Sequence, residues 1–258
     1  MNPKVVILCG GKGTRLEEIT ETVPKPLVPI GDSPIVMHIM QLYAHYGFND
    51  FILCTGYKGE MFEDFLRRYY SKGAHIQFDL GSGVETVLHK DDKPIKVICA
   101  DTGLDTPTGG RLLRVAEYLQ ENPYFLCTYG DGVSDVNIGN IVEFHESHHP
   151  VATLMGTNPV SRFGEIHRSP DGFATEYRQK PRLRDVYINA GFMVLDKKFL
   201  DYLTPDSPIE EPFEKLVSER NLAVFTHDGF WHCMDTRQER DRLNDLWKSG
   251  NPPWKVWK

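Results

Sequence analysis

The chain has 258 residues, 40% of them hydrophobic, which is enough for a sizeable core in one large domain or two small ones. Lysine and arginine number 29 against 36 aspartates and glutamates; the formal charge of −7 argues against a nucleic-acid partner, though not against a small anion held in a local cationic pocket. No apolar run approaches the roughly 18 residues of a membrane span, and no signal-peptide pattern precedes the first apolar run, so the chain reads as cytoplasmic, with no membrane partner.

In chain order, Lys4–Leu8 predicts a strand and Pro34–Tyr46 a helix, with Ile35, His38, Ile39, Leu42 and Tyr46 along one side. Phe51–Cys54 reads as a strand, Glu60–Tyr70 as a helix, and Ile76–Phe78 and Ile95–Cys99 as strands. Arg111–Gln120 reads as a helix striped by Leu112, Val115, Ala116 and Leu119; Tyr124–Thr128 is a strand and Val136–His148 a helix. Strand-like runs follow at Val151–Gly156, Phe173–Tyr177 and Val186–Leu195, and helices at Ile209–Glu219 and Gln238–Lys248. Strands alternating with helices imply a largely parallel sheet in three layers. With no internal repeat or low-complexity linker, one mixed α/β domain over 1–258 is expected, its texture changing at about residue 151.

Five cysteines without CxxC spacing give no disulfide or zinc framework. Cys9, Cys54, Cys99 and Cys127 close apolar runs and read as small buried hydrophobes. His145, His148 and His149 have helical spacing; a metal site and a solvated helix end are the two readings, and the helix end is favoured.

Ligands of open α/β sheets sit beyond the carboxyl ends of the strands. There the sequence offers Gly10-Gly11-Lys12-Gly13-Thr14-Arg15, Thr55-Gly56-Tyr57-Lys58-Gly59, Asp101-Thr102-Gly103 with Thr106-Pro107-Thr108-Gly109-Gly110-Arg111, and Tyr129-Gly130-Asp131-Gly132. Glycines let backbone N–H groups converge on an anion, and Arg15 and Lys25 add full charges, so the expected ligand is a polyphosphate. The loop is neither a Walker A motif nor a GxGxxG fingerprint.

Gly10-Gly11-x-Gly13-Thr14-Arg15-Leu16, then Pro24-Lys25-Pro26-Leu27 and Gly130-Asp131-Gly132, resemble the signature of sugar-1-phosphate nucleotidyltransferases. YGDGVSDVNI, NAGFMVL, FWHCMDT, PPWKVW and DTGLDTPTGGRLLRV look most similar to the glucose-1-phosphate cytidylyltransferases. The resemblance implies a Rossmann-like, mixed, mostly parallel sheet in a three-layer core, with a nucleotide-binding part over about 1–150 and a sugar-binding and C-terminal part over about 151–258, in a homo-oligomer. It also implies transfer of a cytidylyl group from CTP to a sugar 1-phosphate, most simply glucose 1-phosphate, with Mg²⁺ held by Asp131 and Asp235. For Asp235 alone, a helix N-cap is the plain reading. Arg15 is assigned to the leaving end of the triphosphate and Lys25 to the α-phosphate; with Asp131 they form the catalytic set. Leu8, Cys9, Gly10, Gly11, Lys12, Gly13, Thr14, Thr108, Gly109, Arg111 and Gly130 complete the nucleotide site, with Thr108 and Arg111 reading cytosine. Tyr129, Gly164, Gln179, Lys180 and Asn189 are assigned to the sugar. The family pattern has Glu-Lys-Pro where this chain has Gln179-Lys180-Pro181, which leaves room for a different phosphorylated acceptor. The same fold also accommodates UTP, dTTP or GTP in place of CTP, or a non-catalytic nucleotide sensor.

Overall fold

The computed structural model describes residues 2–71, 75–89, 95–161, 163–183 and 186–257. Its main sheet has seven strands: β1 (Val5–Leu8), β2 (Asp50–Thr55), β3 (Lys96–Asp101), β4 (Tyr124–Tyr129), β5 (Ala152–Thr157), β6 (Ile188–Asp196) and β7 (Leu222–Thr226). Their order across the sheet is β7-β5-β6-β4-β1-β2-β3. β1 pairs in parallel with β2 and β4, β2 with β3, and β5 with β7; β6 runs antiparallel to both its neighbours. The expected mixed, mostly parallel sheet is therefore present.

β1 shows why its short apolar run forms a central strand. All four residues are buried, Val5 and Ile7 against one face of the sheet and Val6 and Leu8 against the other. Burial on both faces gives a continuous hydrophobic run, not an alternating one. The first face carries α1 (Ile35–His45) and α4 (Ile138–His148); the second carries α3 (Thr108–Arg114) and α5 (Phe213–Ser218). α2 (Glu60–Ser71) and α6 (Arg237–Lys248) complete the longer helices.

Three expectations need correction. The sequence predicts one buried stripe for α1, yet Val36, Met37, Met40 and Tyr43 are buried as well. The helix is covered from two sides: Tyr43 stacks on Phe192 of β6, and on the His38 side the Trp254 indole, 1% exposed, donates to His38 Nδ1 at 3.3 Å, while His38 Nε2 bonds the Ile30 carbonyl at 2.9 Å. The helix expected over 111–120 begins at Thr108 and gives way to a 3₁₀ turn at Ala116–Leu119. Gly109 and Gly110 form its first turn because a Cβ there would lie 2.6 Å from the Ser207 carbonyl and 2.2 Å from that of Pro205. The helix expected over 209–219 shortens to Phe213–Ser218, starting directly after Pro212. β7, the pair of Pro29–Ile30 with Ser33–Pro34, and most strands of three further short antiparallel pairs carry too little periodicity to be read from the sequence. Glu165–Arg168 pairs with Ala174–Arg178, and His75–Asp79 with Val84–His89, so only one strand of each is expected; Gly132–Ser134 pairs with Trp231–Cys233.

Among the described residues no helix is long and apolar enough to cross a membrane. His145 is not a solvated helix end: it is buried, and its Nδ1 meets Thr153 Oγ1 at 2.9 Å. His148 is exposed and His149 takes a left-handed φ of 52° closing α4. Cys9, Cys54 and Cys127 are buried and Cys99 half-buried, all as free thiols.

Candidate active site

Parallel pairing brings the carboxyl ends of β4, β1, β2 and β3 to one edge. A cleft of about 340 Å³ opens there. Its lining comprises Leu8, Cys9, Gly10, Gly11, Gly13, Thr14, Arg15, Lys25, Pro26, Thr106, Pro107, Thr108, Arg111, Tyr129, Gly130 and Asp131. Of the strand-end loops singled out in the sequence, those around Gly10–Arg15, Thr106–Arg111 and Tyr129–Asp131 line the cleft, whereas Thr55–Gly59 and Asp101–Gly103 do not; the sequence assigns no role to Thr106, Pro107 or Pro26.

The loop after β1 owes its shape to Arg111. This buried guanidinium donates from Nη1 to the carbonyls of Thr55 (2.9 Å) and Gly103 (2.8 Å) and to the Thr102 hydroxyl (2.7 Å). From Nη2 it donates to the carbonyls of Gly10 (3.1 Å) and Leu104 (3.3 Å). One side chain therefore ties together the loops that follow β1, β2 and β3. A Cβ on Gly10 would lie 1.9 Å from Arg111 Nη1, so only glycine permits this approach. Gly130 is held less closely, but a Cβ there would still meet Pro26 Cγ at 2.8 Å. Gly11 is exposed, and a Cβ built on it would meet nothing within 4 Å. Lys12 lies outside the lining, paired with Asp105 at 2.9 Å near the surface. Thr108 Oγ1 accepts from the Ile209 N–H at 2.8 Å and the Gly109 N–H donates to Ser207 at 3.0 Å, which fixes the rim next to α3.

Lys25 is the centre of charge. Pro24 and Pro26 bracket it, and it opens a 3₁₀ turn over Lys25–Leu27. Its ammonium bonds Asp131 Oδ2 at 2.5 Å and Asp235 Oδ1 at 2.6 Å. Arg15 Nη2 also reaches Asp235 Oδ1, at 3.1 Å. Burial pulls the Lys25 pKa down, but the two carboxylates outweigh it and hold it above the usual lysine value. For Asp235, burial raises the pKa; hydrogen bonding and attraction from Lys25, with Arg15, outweigh it and leave the carboxyl below its usual range. Lys25 and Asp235 are thus both ionised near neutral pH.

No spacing rule joins residues as far apart as 131 and 235; the small sheet does. Cys233 pairs with Gly132, and the Met234 N–H donates to the Asp131 carbonyl at 2.8 Å. Asp235 is not the helix cap. Thr236 caps α6, and Glu239 accepts from the N–H groups of both Asp235 and Thr236 at 2.8 Å each, which leaves the Asp235 side chain to face Lys25. Glu239 is a supporting residue absent from the sequence assignments, though the Thr-x-x-Glu pattern signals it.

The model of the nucleotidyl transferase family matches residues 4–238 of the chain. The chain belongs to that family. The glucose-1-phosphate cytidylyltransferase of Salmonella typhi is 41% identical over 256 residues, covering 98% of this chain and 99% of that protein. The probable glucose-1-phosphate cytidylyltransferase of Bacillus subtilis is 40% identical over 257 residues, covering 98% and 100%. A putative glucose-1-phosphate thymidylyltransferase from Bacillus anthracis superposes with a TM-score of 0.67 at 20% identity, over 94% of each chain, and so shares the fold.

This nucleotidyltransferase gathers its nucleotide-side candidates tightly, its sugar-side candidates less so. Tyr129, at the end of β4, lines the cleft, and its hydroxyl donates to Glu210. Burial, then Glu210, raises the Tyr129 pKa well above the usual phenol value. Gly191, with φ of 85°, lies under that ring: a Cβ would sit 2.5 Å from Tyr129 Cδ2. Asn189 Oδ1 accepts from the Gly191 N–H at 2.9 Å. Gly164 lies against the Tyr177 ring, and Gln179 Oε1 accepts from the Tyr177 hydroxyl. Lys180 is exposed, with a φ of 47°. Gly164, Gln179, Lys180 and Asn189 all lie outside the cleft lining. Glu210 gives no sign of itself in the sequence, because nothing in Pro208-Ile209-Glu210-Glu211 separates it from its neighbour Glu211 or ties it to Tyr129.

Proposed function

We propose that the chain transfers a cytidylyl group from CTP to a sugar 1-phosphate, glucose 1-phosphate first among them, releasing pyrophosphate. The observation that carries this reading is the near-full-length likeness to glucose-1-phosphate cytidylyltransferases, with Arg15, Lys25, Asp131 and Asp235 converging at the glycine-loop cleft. In this reading an acceptor phosphate oxygen attacks the α-phosphorus of CTP in line. The new P–O bond forms as the bond to the bridging oxygen breaks, and that oxygen leaves with the electron pair on pyrophosphate. The attacking oxygen is already ionised, so no general base is needed and none of the histidines is called on. Catalysis reduces to positioning and to neutralising charge. The Gly10–Gly13 loop would cradle the triphosphate, Arg15 would hold its leaving end through a planar fork, and Lys25 would stabilise charge at the α-phosphate. Thr108 and Arg111 would bound the cytosine, while Gln179, Lys180 and Asn189, with Tyr129 and Gly164, would face the sugar phosphate.

The donor set at the carboxylate pair suits Mg²⁺. Two carboxylates from separate segments share a single position that already holds a cationic group, and Mg²⁺ takes one or two carboxylates with phosphate oxygens and water. Asp131 and Asp235 would hold the ion, which supplies charge neutralisation at the phosphates when bound. The test is to incubate the purified chain with CTP, glucose 1-phosphate and Mg²⁺ and identify the products by mass spectrometry. CDP-glucose and pyrophosphate in equal amounts support the reading; no nucleotide sugar under these conditions contradicts it.

A further inference from the structure

Two cations have a claim on one position. The oxygens that hold the Lys25 ammonium, Asp131 Oδ2 at 2.5 Å and Asp235 Oδ1 at 2.6 Å, belong to the same two carboxylates assigned to the divalent ion. Mg²⁺ approaches such oxygens to about 2.0–2.1 Å. Any ion bridging these oxygens must take the place of the ammonium. Charge points the same way. Asp131 and Asp235 contribute two negative charges; Lys25 and Arg15, both ion-paired to them, contribute two positive ones. These four groups sum to zero, and Glu239, turned to the backbone N–H groups of Asp235 and Thr236, adds net negative charge nearby, so a free divalent ion meets far less attraction than two unpaired carboxylates would offer.

The geometry also defines what can move. The Lys25 backbone lies in a 3₁₀ turn between two prolines, and Lys25, Pro26 and Leu27 are all buried. Its stem runs under the glycine loop, where a Cβ on Gly13 would be 3.1 Å from Lys25 Cβ and 3.5 Å from Cδ. The ammonium thus hangs on a flexible stem between the carboxylate pair and the loop that would cradle the phosphates. A triphosphate on that loop offers anionic oxygens to both Lys25 and Arg15 and contributes ligands to the ion.

We propose that Lys25 is the resident counter-ion of the metal position, exchanging between the carboxylate pair and the nucleotide's phosphates, so that the divalent ion enters with the nucleotide and not ahead of it. The inference rests on the carboxylate-pair metal reading given above, and the experiment separates the two.

Mn²⁺ is the probe, with free Mn²⁺ followed by electron paramagnetic resonance as the purified chain is titrated without nucleotide. The parent should bind weakly. Lys25→Met, nearly isosteric and neutral, should bind roughly tenfold tighter or more, since one unit charge at contact distance is removed. Lys25→Arg should stay with the parent, and adding Asp131→Asn to Lys25→Met should erase the gain. If Lys25→Met binds no tighter than the parent while Asp131→Asn weakens both, the metal site is real and the counter-ion role is overturned. If Asp131→Asn changes Mn²⁺ binding in no background, the metal reading fails and takes the inference with it. Because Lys25→Met leaves two carboxylates facing each other, its fold is checked by thermal unfolding, and the parent alone supplies a second measurement. CTP should raise the parent's Mn²⁺ affinity beyond that of CTP itself; a parent that binds Mn²⁺ equally tightly without nucleotide overturns the proposal.

Discussion

Arg111→Met tests whether the cleft is held open from behind. The guanidinium makes five donations and is 4% exposed. Not every acceptor is orphaned when it goes. The Thr55 carbonyl keeps the Thr102 N–H at 3.0 Å, and the Gly10 carbonyl keeps the Tyr57 N–H at 3.3 Å. The loss falls mainly on the half-buried Gly103 carbonyl, because Leu104 is 49% exposed and its carbonyl can turn to water. At about 1–3 kcal/mol for an unsatisfied buried group, partly offset by the apolar methionine, a loss of about 2 kcal/mol is expected. For a chain of this size that corresponds to a fall of roughly 4–8 °C in Tm. The freed Gly10 loop should also bind nucleotide less well. Arg111→Lys should recover under half of either loss, because a point charge cannot span acceptors on three loops. Differential scanning calorimetry reads the first effect, and isothermal titration with CTP and UTP the second. A base-reading role adds a loss that is larger for CTP than for UTP; a purely positional role lowers both alike. A Tm within about 2 °C of the parent, with unchanged CTP affinity, would refute the clamp.

Three further outcomes are expected. Asp131→Asn and Asp235→Asn should each lose most turnover while remaining folded, and chelator should do the same to the parent until Mg²⁺ is restored; full activity of either variant at limiting Mg²⁺ removes that carboxylate from the site. His38 and His145 are buried, with burial lowering each pKa below the usual 6.5. Their unfolded forms take up protons first, so stability should hold above pH 6.5 and fall as pH drops below it; His38→Asn with His145→Asn should flatten that fall, and an unchanged slope in thermal melts would discard the assignment. Gln179→Glu should change kcat/KM for glucose 1-phosphate by no more than roughly tenfold, the scale of one neutral hydrogen bond, whereas a large gain from a nearly inactive parent would point to a different natural acceptor.

The parts of the molecule visible in the sequence are those fixed by local pattern. Val5–Leu8 must be a central strand because nothing polar interrupts it, and GGKGTR must turn because it follows that strand. Lys25 between two prolines reads as a fixed cation. What stays hidden depends on contacts between distant segments. The partner of Lys25 on the Asp235 side is delivered by pairing of Gly132–Ser134 with Trp231–Cys233, three-residue strands too short for any periodicity to register. Arg111 looks like a ligand-reading residue, and only the fold shows it tying three loops together. The burial of α1 at His38 requires knowing that a tryptophan at 254 returns to that residue. His145 looks like a helix end because spacing cannot reveal that β5 lies alongside to supply Thr153.

The central claim is the transfer of a cytidylyl group to a hexose phosphate, and the most direct measurement is kcat/KM for pyrophosphate release. CTP, UTP, dTTP and GTP are each paired with glucose 1-phosphate and a set of other phosphorylated acceptors, at saturating Mg²⁺. The account predicts the highest value for CTP with glucose 1-phosphate, with CDP-glucose as the accumulating product. A higher value for any other nucleotide, or nucleotide binding without pyrophosphate release for every acceptor, would contradict it.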